Sequence, residues 1–251
     1  MKKCMIICVG VLLITGTILS KTRINAEDII NMIDSGKSVP LEEAEIIGKL
    51  DFTKLKDKEL ETPRHNRNST EVYIYHVRTP LSFINCTFQD DVIAYYHDEW
   101  KNETHYAFFH EDTFFKGCEF QGESAFKYSK FYKKADFSKT RYHREALFKY
   151  AKFSTEAPFK GSIFQKRANF KYTEFKEKGN FENCEFFNDA DFKYTKFKEG
   201  VSFKAAEFQD LANFKYTKFS RFADFEDVSF YGDTSFKYTE LNGRRFNPHY
   251  K

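Results

Sequence analysis

The tripeptide Phe-Lys-Tyr begins at Phe126, Phe148, Phe170, Phe192, Phe214 and Phe236, each 22 residues after the last. Within an interval the aromatic positions alternate at five and six residues, as in Phe170, Phe175, Phe181, Phe186 and Phe192. From Phe109 to Leu241 the series has 25 positions, of which 23 are Phe; Tyr142 and Leu241 are the exceptions. The residue two before each is never larger than Val: Ala135, Ala168, Thr173, Gly179, Cys184 and Val201 are examples. A small residue and an aromatic two apart share one side of an extended segment. Both therefore face inward, and the mostly polar residue between them faces out. A helix fails, because steps of five and six scatter Phe over every face of a 3.6-residue wheel. A β-sandwich alternates without a fixed 22-residue phase. Four short sides of five, six, five and six residues close one coil, and coils stacked about 4.8 Å apart set each Phe over its equivalent. The expectation is an all-β parallel solenoid with a dry aromatic core and no internal ligand cavity.

Units such as Ala168-Asn169-Phe170-Lys171-Tyr172 and Ala190-Asp191-Phe192-Lys193-Tyr194 resemble the pentapeptide-repeat family. The resemblance covers about residues 81–241 and implies a right-handed quadrilateral parallel β-helix with the central Phe and the preceding small residue inside. This chain departs from the simplest pattern by one extra residue after every second repeat, so two looser corners per coil are expected. Gyrase-inhibiting members of that family dimerise through their C-terminal ends, which implies a homodimer through the same end here.

Outside the repeats the sequence divides into three further parts. Residues 1–20 read as a signal peptide: Lys2 and Lys3 precede an apolar run, Met5 to Leu19, that is short for a span of roughly 20 residues. Cleavage after Ser20 or after Ala26, or an uncleaved membrane anchor, are the alternatives, and the earlier cut keeps Asn25 as a helix N-cap. Residues 21–80 read as an N-terminal cap, with a capping helix over 26–34 that carries Ile29, Ile30 and Ile33 on one face and stops at Gly36. An irregular first coil follows from Val39 to Leu55, then a polar loop from Lys56 to Thr70. Regular coils are expected from Leu81, interrupted at about Tyr95–Glu103. A tail, 242–251, with Asn242-Gly243 and Phe246, either folds over the last coil or meets a second chain.

The net charge of +3 falls to +1 without residues 1–20 and to −1 without 1–26, so net charge names no partner. Three of the five cysteines lie beyond the leader: Cys86, Cys118 and Cys184. All take the small inward position and read as core residues, neither disulfides nor metal ligands.

The most regular outward surface is a stripe of six lysines (Lys127, Lys149, Lys171, Lys193, Lys215, Lys237) beside six tyrosines (Tyr128, Tyr150, Tyr172, Tyr194, Tyr216, Tyr238). Lys130, Lys152, Lys196 and Lys218 extend it, interrupted by Glu174 and Glu240. Such rows are ordinarily solvated faces that repeat duplication copies; the sharper reading is a docking stripe for an extended anionic envelope polymer or a protein. A second cluster, His97, Asp98, Glu99, His105, His110, Glu111 and Asp112, has ligand types for a divalent metal but no defined spacing. Sequons at Asn68, Asn85 and Asn102 are acceptors only in a host that glycosylates exported proteins.

The expected function is an exported, non-enzymatic structural or interaction module at the cell surface or outside it, with no cofactor and no nucleic-acid partner. The membrane enters only through an uncleaved leader. A polysaccharide-acting β-helix enzyme and a metal-binding surface protein are the alternatives. The first would need carboxylates gathered in one groove, whereas the acidic residues here are dispersed and no Ser/His/Asp set stands out. A DNA mimic would need a strongly acidic rod, which a near-neutral chain with a lysine stripe is not.

Overall fold

The computed structural model describes residues 21–62 and 70–248, and within them the chain is a four-walled coil. The apolar leader, Asn68 and the last three residues lie outside that range. Eight coils occupy residues 39–77, 81–109, 113–131, 135–153, 157–175, 179–197, 201–219 and 223–241. In each, the chain passes through four walls in turn, here called first to fourth, and every strand pairs in parallel with its equivalent one coil away. Thus Ala168 faces Ala190, and Phe175 faces Phe197.

The aromatic spacing produces the core it implies. Phe148, Phe170, Phe192 and Phe214 stack at 5.1 Å with rings within 2° of parallel. Rings of neighbouring walls meet edge to face, as Phe159 and Phe170 do at 5.1 Å and 86°. Both arrangements set the positive ring edge or an offset face against a negative face, the geometries aromatic quadrupoles favour. The alanines two residues before, such as Ala146, Ala168, Ala190 and Ala212, are fully buried and leave the width these rings need.

The first wall has one break. It consists of two four-stranded sheets that part between Ala135–Asp136 and Ala157–Pro158. Pro158 has no N–H to give to the ladder. Its carbonyl still accepts from Phe137 N at 2.9 Å, so the coils stay in contact.

The chain covers part of each end itself. Strand Thr22–Asn25 adds an outer rung to the second wall by pairing with Ala44–Ile47. Helix Ala26–Asp34 follows and buries Ala26, Ile29, Ile30 and Ile33 over the first coil. Asn25 sits at the N-cap with extended backbone (φ −72°, ψ 135°) but makes no side-chain capping bond, because the strand holds it instead. The stretch expected to be a loop from Lys56 contains an antiparallel strand, Lys58–Thr62, on the edge of the fourth wall beside Glu71–Val77. At the opposite edge of that wall Arg244–Arg245 runs antiparallel to Glu240–Leu241. The tail folds over the last coil: the Phe246 ring lies 5.4 Å from Phe219, 5.9 Å from Phe225 and 6.2 Å from Phe236. Covered edges remove the unpaired N–H and C=O rows that invite another chain.

The interruption at Tyr95–Glu103 is a hairpin, Tyr95–Asp98 against Glu103–Phe109, whose second strand continues as the fourth wall of the second coil. Stacking begins at residue 39, with the irregular first coil, one coil before the regular coils expected from Leu81.

Candidate functional site

Two corners of every regular coil are tight. One joins the first and second walls, the other the third and fourth. In the second kind, the amide of the residue after Tyr bonds back to the Phe carbonyl: Thr173 to Phe170 at 3.0 Å, Thr195 to Phe192 at 3.0 Å and Thr217 to Phe214 at 3.1 Å. The tyrosine in each turn has positive φ: 62° at Tyr128, 63° at Tyr150, 61° at Tyr172, 62° at Tyr194, 59° at Tyr216 and 62° at Tyr238. This is the turn position where Gly or Asn is usual, because a Cβ crowds the carbonyl in the left-handed region.

The six tyrosines form one column on that corner. Successive centroids are 4.9, 4.7, 4.6, 4.7 and 4.8 Å apart from Tyr128 to Tyr238. Most of the column is about one-third exposed or less, and Tyr238, in the last coil, is the most exposed at 55%. Five of the six lysines, all but Lys215, lie over these rings. The ammonium groups of Lys149, Lys171, Lys193 and Lys237 are 5.0–5.5 Å from the centroid of the tyrosine that follows each. Burial lowers the pKa of Lys127, and burial followed by its neighbours Lys127 and Lys171 lowers that of Lys149. The structure thus brings the expected stripe residues together as one surface, with each tyrosine face partly occupied by a cation.

The inner side of the same corner has a feature not read from sequence. Hydroxyls of Thr173, Thr195 and Thr217 donate to the carbonyls of Phe148, Phe170 and Phe192 at 2.7–2.8 Å. At the opposite corner Ser162 donates to Phe137 O at 2.8 Å, and the thiols of Cys118 and Cys184 donate to Phe83 O at 3.2 Å and Phe159 O at 3.0 Å. The cysteines are therefore small core residues that also satisfy a buried carbonyl. Burial pushes the Cys184 thiol up to about 12, which keeps it protonated as that role requires.

In the first two coils the same third-to-fourth corner is opened by insertions, and a cleft of about 470 Å³ lies there. His105 lines it. Its ring stacks on Tyr73 at 5.2 Å and lies beside Tyr96 at 5.9 Å. Nδ1 is 3.1 Å from Tyr75 Oη, and Nε2 is 3.3 Å from a Glu103 carboxylate oxygen. Burial lowers the His105 pKa, so the imidazole is neutral, with Nε2–H toward Glu103 and Nδ1 accepting from Tyr75. The Tyr75 hydroxyl is pushed up by burial, then by Asp51 and Glu103, which leaves it a poor nucleophile. The chain of groups orients the floor of the cleft and does not assemble an activated one. Lysine lines the rim through Lys54 and Lys58, the latter 5.4 Å over Tyr73.

The residues considered for a metal are placed apart. His97 bonds Thr104 Oγ1 at 2.9 Å; Asp98 accepts from the amides of Trp100 and Lys101; His110 bonds His76 at 2.9 Å; Glu111 pairs with Lys133. Among the described residues no group of three or more His, Cys, Asp or Glu is arranged to hold an ion. No helix among them is long and apolar enough to cross a membrane. Sequence reasoning missed Tyr73, Tyr75, Lys54 and Lys58, which belong to no period. Trp100, the sole tryptophan of the chain and placed within the interruption, was the one signal available.

Residues 126–174, 148–196 and 192–240 match a family model described as pentapeptide repeats. No curated protein and no solved structure matches the chain.

Proposed function

We propose that this chain, whose residues 126–240 belong to the pentapeptide-repeat family, is an exported docking rod whose lysine–tyrosine corner takes an extended anionic envelope polymer. The repeats make it a structural or interaction module in general. The docking surface is carried by the contrast between its charges and those at the opposite tight corner.

At that other corner the residue after the inward Phe varies in sign and pairs between coils: Lys160 with Glu182 at 2.8 Å, and Lys204 with Glu226. At the tyrosine corner the equivalent residue is Lys in all six coils. Lysines at strand spacing repel one another, and the tyrosine faces offset only part of that. An anion laid along the column would relieve the rest. Export rests on the basic and apolar character of residues 1–20.

Retention of the purified chain on immobilised polygalacturonate, eluted with a salt gradient, tests the docking face. Replacing Lys171, Lys193 and Lys215 by Gln is expected to bring elution to lower salt. Elution at unchanged salt by that triple variant, with unaltered circular dichroism, sinks the reading.

A further inference from the structure

The cleft at the opened corner of the first two coils belongs to no repeat, and it differs from the stripe in kind. Its volume of about 470 Å³ falls in the range of about 300–1,000 Å³ usual for small-molecule sites. One wall is the hairpin Tyr95–Asp98/Glu103–Phe109, which contributes Tyr96, half-exposed at 49%. On the tip of that hairpin Trp100 is fully exposed, held there by Asp98, whose Oδ1 accepts from the amides of Trp100 and Lys101 at 3.0 and 3.1 Å. Large aromatic faces left in water beside a cleft mark a surface built to be covered by something flat and partly apolar.

The polar groups narrow that something. Lys54 and Lys58 both line the cleft, are exposed and have no carboxylate partner among the described residues. The acids beside them are otherwise engaged: Asp51 takes the amide and hydroxyl of Thr53 at 2.9 and 2.6 Å, and Glu103 faces His105. The uncompensated charge is positive. Yet carboxylates still line the cleft, and each retains acceptor capacity for hydroxyl donors. A polyphosphate would meet that negative charge at close range and find no glycine-rich loop or helix N-terminus to receive it. A ring with one carboxylate and many hydroxyls suits all three features: a face for Tyr96 in the cleft, an anion for Lys54 and Lys58, and hydroxyls for the acids, with Trp100 next to the lining residue Lys101 in sequence.

We infer that this cleft is a binding site for an acidic sugar, a pyranose carrying a carboxylate, in a short oligosaccharide. The site does not depend on the lysine–tyrosine stripe. Position relates them: Lys127, the first stripe lysine, donates to Tyr95 Oη at 2.8 Å, and Tyr128 lies 5.8 Å from the Tyr95 ring, so the column begins where the cleft ends.

The single tryptophan makes the test direct. The full chain is titrated with trigalacturonic acid while Trp100 fluorescence is followed, with calorimetry in parallel in case the indole is silent. Maltotriose supplies the neutral comparison and ATP the phosphate one. A saturable response to trigalacturonate is expected, weakened at least tenfold in the Lys54→Gln/Lys58→Gln variant and unchanged in the Lys171→Gln/Lys193→Gln/Lys215→Gln variant. Lys54 and Lys58 are surface residues, so a normal circular dichroism spectrum accompanies the first variant. No saturable binding by either method overturns the inference. So does equal binding of maltotriose, tighter binding of ATP, or full binding by the Lys54/Lys58 variant. Loss of binding in the stripe variant alone would assign the sugar to the column and likewise remove it from the cleft.

Discussion

The two tight corners of each regular coil share one backbone and differ in everything attached to it. Where the first wall meets the second, the left-handed position holds Gly117, Lys139, Gly161, Asn183, Ala205 and Asp227, with φ between 54° and 68°. Where the third meets the fourth, it holds tyrosine six times, with φ between 59° and 63°. The first set is mixed and mostly of types that enter this region readily. The second set is uniform and of a type that does not. A conformation that costs a non-glycine residue about 1 kcal/mol or more is therefore tolerated in every coil, and the offset has to come from the side chains. Parallel rings under 5 Å apart contribute about 0.5–1.5 kcal/mol per pair, and a cation on an exposed ring about 0.5–1 kcal/mol. The lesson is that one corner is selected for its backbone and the other for its surface.

The strongest way to break this comparison is to remove side chains while keeping the strained backbone. Tyr172→Ala, Tyr194→Ala and Tyr216→Ala together delete the ring contacts from Tyr150 to Tyr238 and are expected to cost roughly 2–6 kcal/mol in urea unfolding, at about 0.5–1.5 per lost pair. The matched triple at the other corner, Lys139→Ala, Asn183→Ala and Asp227→Ala, is expected to change stability by less than about 1.5 kcal/mol, the surface-substitution scale of about 0.5 each. Equal losses would show that the tyrosines have no special part in stability.

Glycine exchanges sharpen the same point with a smaller effect. Lys139→Gly relieves the left-handed backbone at a position with no stacked ring and is expected to stabilise by about 0.5–1 kcal/mol, read as a rise in the thermal midpoint. Tyr172→Gly receives the same relief but loses two ring contacts, so its midpoint is expected to fall.

The smallest effect concerns the coils where the tyrosine corner is replaced by insertions. Burial lowers the pKa of His105 and of His110. An unfolded chain takes up protons at these positions near pH 6.5, before the folded one does. Their contribution is therefore full above about pH 6.5 and is lost as pH falls toward the lower folded values. Amide exchange at Tyr75 and Ala107 is expected to quicken between pH 6.5 and 5, relative to Phe192 and Phe214, after correction for intrinsic rates. Uniform exchange across both regions would remove the distinction.

What could be read from the sequence alone follows from repetition. Phe at five-then-six steps with a small residue two before it leaves one way to bury every ring, and each coil then presents the next with the same environment. A period is enough to state that structure, and the helix over 26–34 was legible from its three isoleucines for the same reason. The stripe was legible too, since position along the coil decides what faces out.

Tertiary structure alone decided whatever depends on residues meeting without a period. Nothing in the spacing shows that tyrosine occupies a left-handed turn, because φ is a property of the closed corner. The thiols of Cys118 and Cys184 donate to carbonyls of the preceding coil, a bond invisible until the coils are stacked. Strands Lys58–Thr62 and Arg244–Arg245 exist because the fourth wall offers them an edge. The cleft gathers Lys54, Lys58, Tyr75, Tyr96 and His105 from separate insertions, and only the fold brings those distances to within reach of one ligand.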